Sequence, residues 1–148
     1  MPLAADARPR VVGAILRQND QFLMQLRDDI PTIAYPGHWA FFGGHIEPGE
    51  TPEASMRREL LEEIGYCPSM LTEIGCYDNL NVIRYVFYGL LDISIDRLVL
   101  GEGWDLDLFT SEHIHQGYRF SNRAKKICPI GLPHQQILLD FLQQSDGV

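Results

Sequence analysis

Residues 51–65, TPEASMRRELLEEIG, spell a helix with both ends marked, and that helix limits what the rest of the chain can build around it. Thr51 suits the N-cap, Pro52 the first helical position, and Gly65 the left-handed residue that closes a helix. Ahead of it, VVGAILR (11–17) and QFLMQLR (21–27) flank the polar turn QND and predict the two strands of a hairpin. DDIPTIAYPGH predicts a loop, and WAFF (39–42) a short strand ending at Gly43-Gly44. Beyond the helix, LTEIGCY (71–77), VIRYVFYGLLDI (82–93) and WDLDLF (104–109) read as strands, and SEHI (111–114) opens a short helix. LPHQQILLDFLQQ (132–144) is a second amphipathic helix, with Ile137, Leu138, Phe141 and Leu142 on one side. Strands interleaved with helices predict an α/β sandwich with a mixed sheet. Residues 1–148 are expected to form one domain, with 1–9 and 145–148 as flexible ends.

Composition narrows the function classes. A hydrophobic content of 45% with 22% charged residues is that of a folded globular protein rather than a disordered one. The formal net charge of −8 argues against broad binding to nucleic acid or to membrane surfaces, but not against a small anionic ligand. No apolar run approaches a membrane span, and MPLAADARPR lacks a secretory core. Cys67, Cys76 and Cys128 form no CxxC pair, so reduced thiols in a cytoplasmic protein are expected. Residues 115–131, HQGYRFSNRAKKICPIG, hold both lysines together with Arg119 and Arg123. Two readings stay open for this segment, a solvated loop and a lid over an anionic substrate.

The helix breaks its own rules. At about 100° per residue, with Glu59 as origin, Glu63 falls near about 40° and Glu62 near about −60°. Leu60, Leu61, Ile64 and Ala54 lie on the other side and are expected to face the core, with Arg57 intruding there. Like charges three and four apart each cost about 0.2–0.5 kcal/mol, and carboxylates late in a helix oppose its dipole. Such a cluster is either a solvated face or the oxygen ligand set of a hard divalent cation, Mg²⁺ or Mn²⁺. A contradiction of local preference favours the second.

GHIEPGETPEASMRRELLEEIGY, residues 44–66, resembles the Nudix box, with Gly44, Glu50, Arg58, Glu59, Glu62, Glu63 and Gly65 at its fixed positions and Leu60 at an apolar one. Tyr66 departs from the usual aliphatic, and Phe42 stands where proline is common. The resemblance implies a Nudix-type α/β/α sandwich over residues 10–144 and Mg²⁺-dependent hydrolysis of a nucleoside diphosphate linked to another moiety. By the same resemblance Glu59, Glu62 and Glu63, with the Gly44 carbonyl, hold the cation, and Glu50 pairs with Arg58 to tie loop to helix. Catalysis then rests on positioning and charge stabilisation.

Outside the box the expectations thin out. Glu102, in LVLGEGWDLDLF, is the candidate for a further ligand or general base, with Asp105 behind it and Glu62 or Glu63 as rivals. Arg27 resembles a cation that some members point at phosphate, Gly43 and Gly44 permit close backbone approach, and Tyr35, Trp39 and Phe41 are candidate stacking surfaces or core residues. Among the histidines only His113/His115 have a ligand-like spacing, and they read as surface. The NADH-type run SQPW is absent, Asn81 stands where ADP-ribose hydrolases carry proline, and Tyr85 lies near a tyrosine position of diadenosine-polyphosphate hydrolases. A nucleoside triphosphate, normal or oxidised, is the expected substrate. Nucleotide sugars, ADP-ribose-type compounds and a non-catalytic binding module are the alternatives, and monomer and homodimer both stay open.

Overall fold

The computed structural model describes residues 6–146. The hairpin forms as expected. β1 (Arg10–Gln18) pairs antiparallel with β2 (Gln21–Leu26) through a two-residue turn in which Asn19 adopts φ 55°, as a tight hairpin turn requires. That pairing covers only Leu16–Gln18 of β1, after which the strands diverge. Into the gap runs the next segment, split into β3 (Trp39–Ala40) on β2 and β4 (Phe42–His45) on β1. The expected strand at 39–42 is therefore two strands, and it continues through Gly43 and Gly44 instead of stopping there.

The split has a cost at Phe41, where the chain changes partner and no strand meets its peptide groups. Two side chains supply the missing bonds. Gln25 Nε2 donates to the Phe41 carbonyl at 3.0 Å, and the Phe41 N–H donates to His134 Nδ1 at 3.2 Å. Buried backbone groups demand such partners.

Helix α1 (Pro52–Ile64) begins and ends where the sequence places it: Thr51 Oγ1 accepts from the Ala54 N–H at 3.1 Å, and Gly65 closes it at φ 66°. β5 (Thr72–Asp78) and β6 (Ile83–Leu90) follow, then β7 (Asp105–Phe109), α2 (Ser111–Gln116), β8 (Tyr118–Ser121), β9 (Lys126–Pro129) and α3 (Leu132–Asp146). β6 lies parallel to β1, and β7 lies antiparallel to β2. Seven strands make one mixed sheet, and β8–β9 a separate two-stranded one. Alternate residues of β1 feed two cores. Val12, Ala14 and Leu16 pack on Met56, Leu60 and Ile64 of α1, while Ile15 joins Ile114, Ile137 and Leu138 of α2 and α3. Each fully buried side chain of this size contributes about 1.5–3 kcal/mol.

Two expectations need correction, the buried arc of α1 and the nature of the basic segment. Leu61 and Ala54 are exposed; the buried arc of α1 is Ser55, Met56, Leu60, Glu63 and Ile64, so one acidic residue lies within it. Arg57, the intruder, lies across the far end of the helix, where Nη1 donates to the Pro68 carbonyl at 3.1 Å. The basic segment 115–131 is neither an open loop nor a lid. It is the end of α2 followed by a hairpin, because Tyr118–Ser121 and Lys126–Pro129 alternate between faces around a turn with Lys125 at φ 60°. Three of its four lysines and arginines are engaged locally: Arg119 pairs with Asp107 at 2.7 Å, Arg123 lies 3.5 Å from Asp105, and Lys126 sits over the Trp104 ring. Of the ends expected to be flexible, residues 1–5, 147 and 148 lie outside the described residues. Arg8 is anchored to Asp78 and the Asn79 carbonyl, at 2.9 and 2.7 Å. No helix of the described residues is long and apolar enough to cross a membrane.

Candidate active site

The glycine pair is where the sheet is thinnest, and the site is built through that thin place. A methyl group on Gly43 would lie 1.9 Å from the Val12 carbonyl oxygen of β1. One on Gly44 would lie 2.5 Å from Glu59 Oε1, so a carboxylate of α1 occupies the space a side chain would fill. The expected consequences differ. Gly43→Ala collides with backbone and destabilises the β1–β4 pairing, seen as a loss of folded protein on denaturant titration. Gly44→Ala collides with the end of a movable side chain, so it folds normally but displaces Glu59. Displacements of that size cost about 10²-fold in turnover.

The glycines open onto a cavity of about 550 Å³ whose wall includes Glu59, Glu62, Glu63 and Glu102. Their environments are unlike one another. Glu62 is exposed, with 60% of its side chain accessible, and lies 3.3 Å from Arg58. Glu63 is 6% exposed. Burial first, and the charge of Glu59 second, push its carboxyl up to about 9, with Glu102 adding to the effect and the Gly43 N–H opposing it. Gln25, itself buried, places Nε2 3.5 Å from Glu63 Oε2.

Arg58 gathers the other acids. Its Nε and Nη2 donate to Glu50 at 2.7 and 2.9 Å, and Nη1 donates to Glu59 at 3.0 Å. The Arg58 hydrogen bonds, helped by the Glu47 N–H, hold the Glu50 carboxyl down at about 2. The ion pair expected between Glu50 and Arg58 is therefore formed, and it fastens the loop before α1 to the helix. Among the described residues no three acidic, histidine or cysteine side chains already stand in a metal-binding arrangement. Arg58 draws Glu59 and Glu62 towards itself in this state.

Glu102 reaches the cavity because its loop is bound to the end of α1. The Gly101 N–H donates to the Glu63 carbonyl at 2.7 Å, and the Val99 N–H to the Ile64 carbonyl at 3.2 Å. These bonds satisfy carbonyls that the helix end leaves orphaned. A methyl group on Gly101 would meet the Glu62 carbonyl at 2.5 Å, so the contact depends on glycine. Asp105, the runner-up to Glu102, is buried on β7, where it accepts from Ser121 Oγ at 2.7 Å. It does not line the cavity.

The facing wall carries Arg27, Arg84, Tyr35, Phe41 and His134. Arg27 is where the sequence placed it, with its Nε buried and lacking a hydrogen-bond partner. Of the three candidate stacking residues, Tyr35 is exposed at the rim with its ring edge-on to His38 and His134. Phe41 is buried and packs on His134. Trp39 is a correction: it is fully buried, edge-on to Phe109, and donates Nε1–H to the Arg119 carbonyl at 3.1 Å, outside the cavity. Sequence reasoning missed Arg84, His134 and Gln25. A cation inside the apolar run VIRYVFYG was the available signal for Arg84, and a glutamine inside QFLMQL for Gln25.

The comparisons agree with this construction. Residues 7–117 match the NUDIX domain. The nucleoside triphosphatase NudI of Escherichia coli O1:K1 / APEC is 44% identical over 69 residues, 45% of this chain and 47% of that protein, so the chain spans about half the length of the curated relatives it matches. The NUDIX domain of Shewanella oneidensis NrtR, solved with ADP ribose, superposes with a TM-score of 0.70 at 16% identity, over 94% of this chain and 89% of that one. The MutT protein of Methanosarcina mazei Go1 gives 0.69 at 19% identity, over 95% and 99%. At such identities the structures speak for the fold alone. The α/β fold with its mixed sheet, the box on α1 and the match across three quarters of the chain lead to one conclusion: the protein belongs to the NUDIX family of hydrolases.

Proposed function

We propose that the chain hydrolyses a phosphoanhydride bond in a nucleoside diphosphate linked to another moiety. The favoured substrate is a nucleoside triphosphate, normal or oxidised, released as monophosphate and pyrophosphate. One observation carries the reading: five glutamates and three arginines line a single cavity, Glu59, Glu62, Glu63 and Glu102 among the acids and Arg27 and Arg84 among the cations. The name of the half-length relative, a nucleoside triphosphatase, supports the substrate class.

The residues fit a hard divalent cation, Mg²⁺ or Mn²⁺. Their side-chain donors are all carboxylate oxygens, and burial with the charge of Glu59 favours a proton on Glu63 when no cation is bound. Glu59, Glu62 and Glu63, with the Gly44 carbonyl, would hold it, and Glu102 would complete the set or act as base. Such a cation supplies charge neutralisation at the anhydride oxygens and a more acidic water. Arg27 and Arg84 bind phosphate oxygens and fix the chain of phosphates across the cavity. Gly43 and Gly44 let it approach the backbone, and Tyr35 and Phe41 close the wall. Glu102, which no cation pairs with among the described residues, takes the proton of the attacking water, with Glu62 and Glu63 as the competing candidates. Glu102→Gln is accordingly expected to lower kcat by about 10²–10⁴-fold without altering the circular dichroism spectrum or the melting temperature.

The test is a substrate panel with Mg²⁺: nucleoside triphosphates, oxidised deoxynucleotides, ADP-ribose, dinucleotide polyphosphates and nucleotide sugars, with products identified by mass. Monophosphate plus pyrophosphate from a triphosphate supports the reading. Turnover only of ADP-ribose or nucleotide sugars replaces its substrate, and nucleotide binding without turnover makes the chain a non-catalytic module.

A further inference from the structure

The face of the sheet beneath α3 carries a row of three residues on three adjacent strands. Val11 of β1, Arg84 of β6 and Tyr77 of β5 stand opposite one another in register. Val11 belongs to the wall of the cavity just described, while Tyr77 lines a second cavity of about 520 Å³ between β5 and α3. Arg84, in the middle of the row, lines both, and among the described residues it is the only one that does. The two cavities are thus neighbours along one sheet face, divided by a single guanidinium. Burial pulls the pKa of Arg84 down, with Tyr35 opposing it, so the divide is a largely buried cation that an anionic group of a ligand would stabilise.

The chemistry changes across that divide. On the near side the wall holds five glutamates and further charged groups. On the far side Tyr77, Ile137 and Leu139 give apolar surface, and Gln136, Asp140 and Gln143 give hydrogen-bonding groups. Asp140 is held in place by the Tyr77 hydroxyl, which donates to Oδ2 at 2.9 Å, leaving Oδ1 to accept from a ligand. Among the described residues no cation other than Arg84 lines this cavity, so phosphate is disfavoured beyond it. A flat ring with apolar faces and N–H or O–H groups on its edge matches the lining, and the volume lies within the range of small-molecule sites.

We propose that this second cavity holds the nucleoside of the substrate, with Arg84 meeting the phosphate nearest the ribose and the remaining phosphates running back to the acidic wall. The assignment rests on the function proposed above and adds where the base is read: on β5 and α3, away from the box. It also separates the roles of the aromatics, since Tyr77 lines the second cavity whereas Phe41 and Tyr35 line only the first.

Gln136 and Gln143 are exposed on α3, so tryptophan at either position fills the cavity without entering the core. The experiment is isothermal titration of wild type, Gln136→Trp, Gln143→Trp and Tyr35→Ala with the four common nucleoside monophosphates and with pyrophosphate. The expected result is that at least one monophosphate binds wild type and binds one or both tryptophan variants at least about tenfold more weakly. Pyrophosphate should bind wild type and both tryptophan variants alike. Equal monophosphate affinity in wild type and both tryptophan variants overturns the proposal, as does a loss confined to Tyr35→Ala or the absence of monophosphate binding altogether. The two readings fail separately. Triphosphate hydrolysis with a KM unchanged in both tryptophan variants removes the cavity assignment and leaves the function. Monophosphate binding that the variants weaken, in a protein that cleaves no anhydride, does the reverse.

Discussion

Glu63→Gln is expected to abolish metal-dependent turnover and, measured in EDTA, to make the protein more stable. Both follow from one placement. Glu63 sits in the buried arc of α1 beside Glu59, and its carboxyl is pushed up to about 9. The folded state therefore keeps a proton on this group that the unfolded chain releases above its ordinary value of 4.5. Stability from this group is fully present below that value and falls as pH rises towards about 9, where folding must either hold the proton or bury a charge. Glutamine keeps the shape and the hydrogen bonds and carries no charge. The expected gain is small at pH 5 and grows to about 1–3 kcal/mol above neutrality, read from urea unfolding across the pH range. Mg²⁺ should raise the wild-type melting temperature and leave that of the variant nearly unchanged. A glutamine variant that is less stable than wild type at pH 8 would remove the physical reason for reading this cluster as a functional site.

The second large effect belongs to His134. Its ring is buried and Nδ1 accepts the Phe41 N–H, so burial above all, with Arg84, Arg27 and His38 adding repulsion, pushes its pKa down to about 3. The sign is opposite to that of Glu63. The unfolded chain takes up a proton below pH 6.5 and the folded chain does not, so the contribution is complete above 6.5 and is lost as pH falls towards about 3. At pH 5 the loss amounts to about 2 kcal/mol, a large share of the 5–15 kcal/mol typical of a domain. His134→Asn retains an acceptor for the Phe41 N–H and does not titrate. The quantity to measure is the stability difference between the two proteins at pH 7.5 and at pH 5, because Glu63 titrates in the other direction in both. The difference should move by about 2 kcal/mol in favour of asparagine on acidification. A difference independent of pH would show that the imidazole takes its proton inside the fold.

What the sequence disclosed divides along physical lines. Helix α1 was legible to the residue, because its cap, proline and closing glycine act locally and nothing in the tertiary structure overrides them. The Glu50–Arg58 pair and the convergence of Gly44, Glu59, Glu62 and Glu63 were legible too, since they are set within one loop and one helix. The divergence of β1 and β2 was not. It is a property of three strands meeting, and it makes Gln25 and His134 the partners of Phe41, though no pattern near either residue announces the role. Trp39 was misplaced as a substrate contact because a short aromatic strand beside glycines looks the same whether it faces a cavity or a core. Length and charge bias left a solvated loop and a lid both open at 115–131, but Asp105 and Asp107 on β7 hold Arg123 and Arg119 against a hairpin. Arg84 escaped notice because a lone cation in an apolar strand reads as a sheet edge until Tyr77, Val11 and α3 are placed around it.

The account's central claim is that the carboxylates of α1 tolerate one another because a dication belongs among them. Titration with Mn²⁺ followed by electron paramagnetic resonance, on wild type and on Glu59→Gln and Glu63→Gln, measures this without a substrate. Saturable binding by wild type, weakened at least about tenfold in each variant, is the predicted result. Wild-type protein that leaves Mn²⁺ free in solution, or variants that bind it as tightly as wild type, would contradict it.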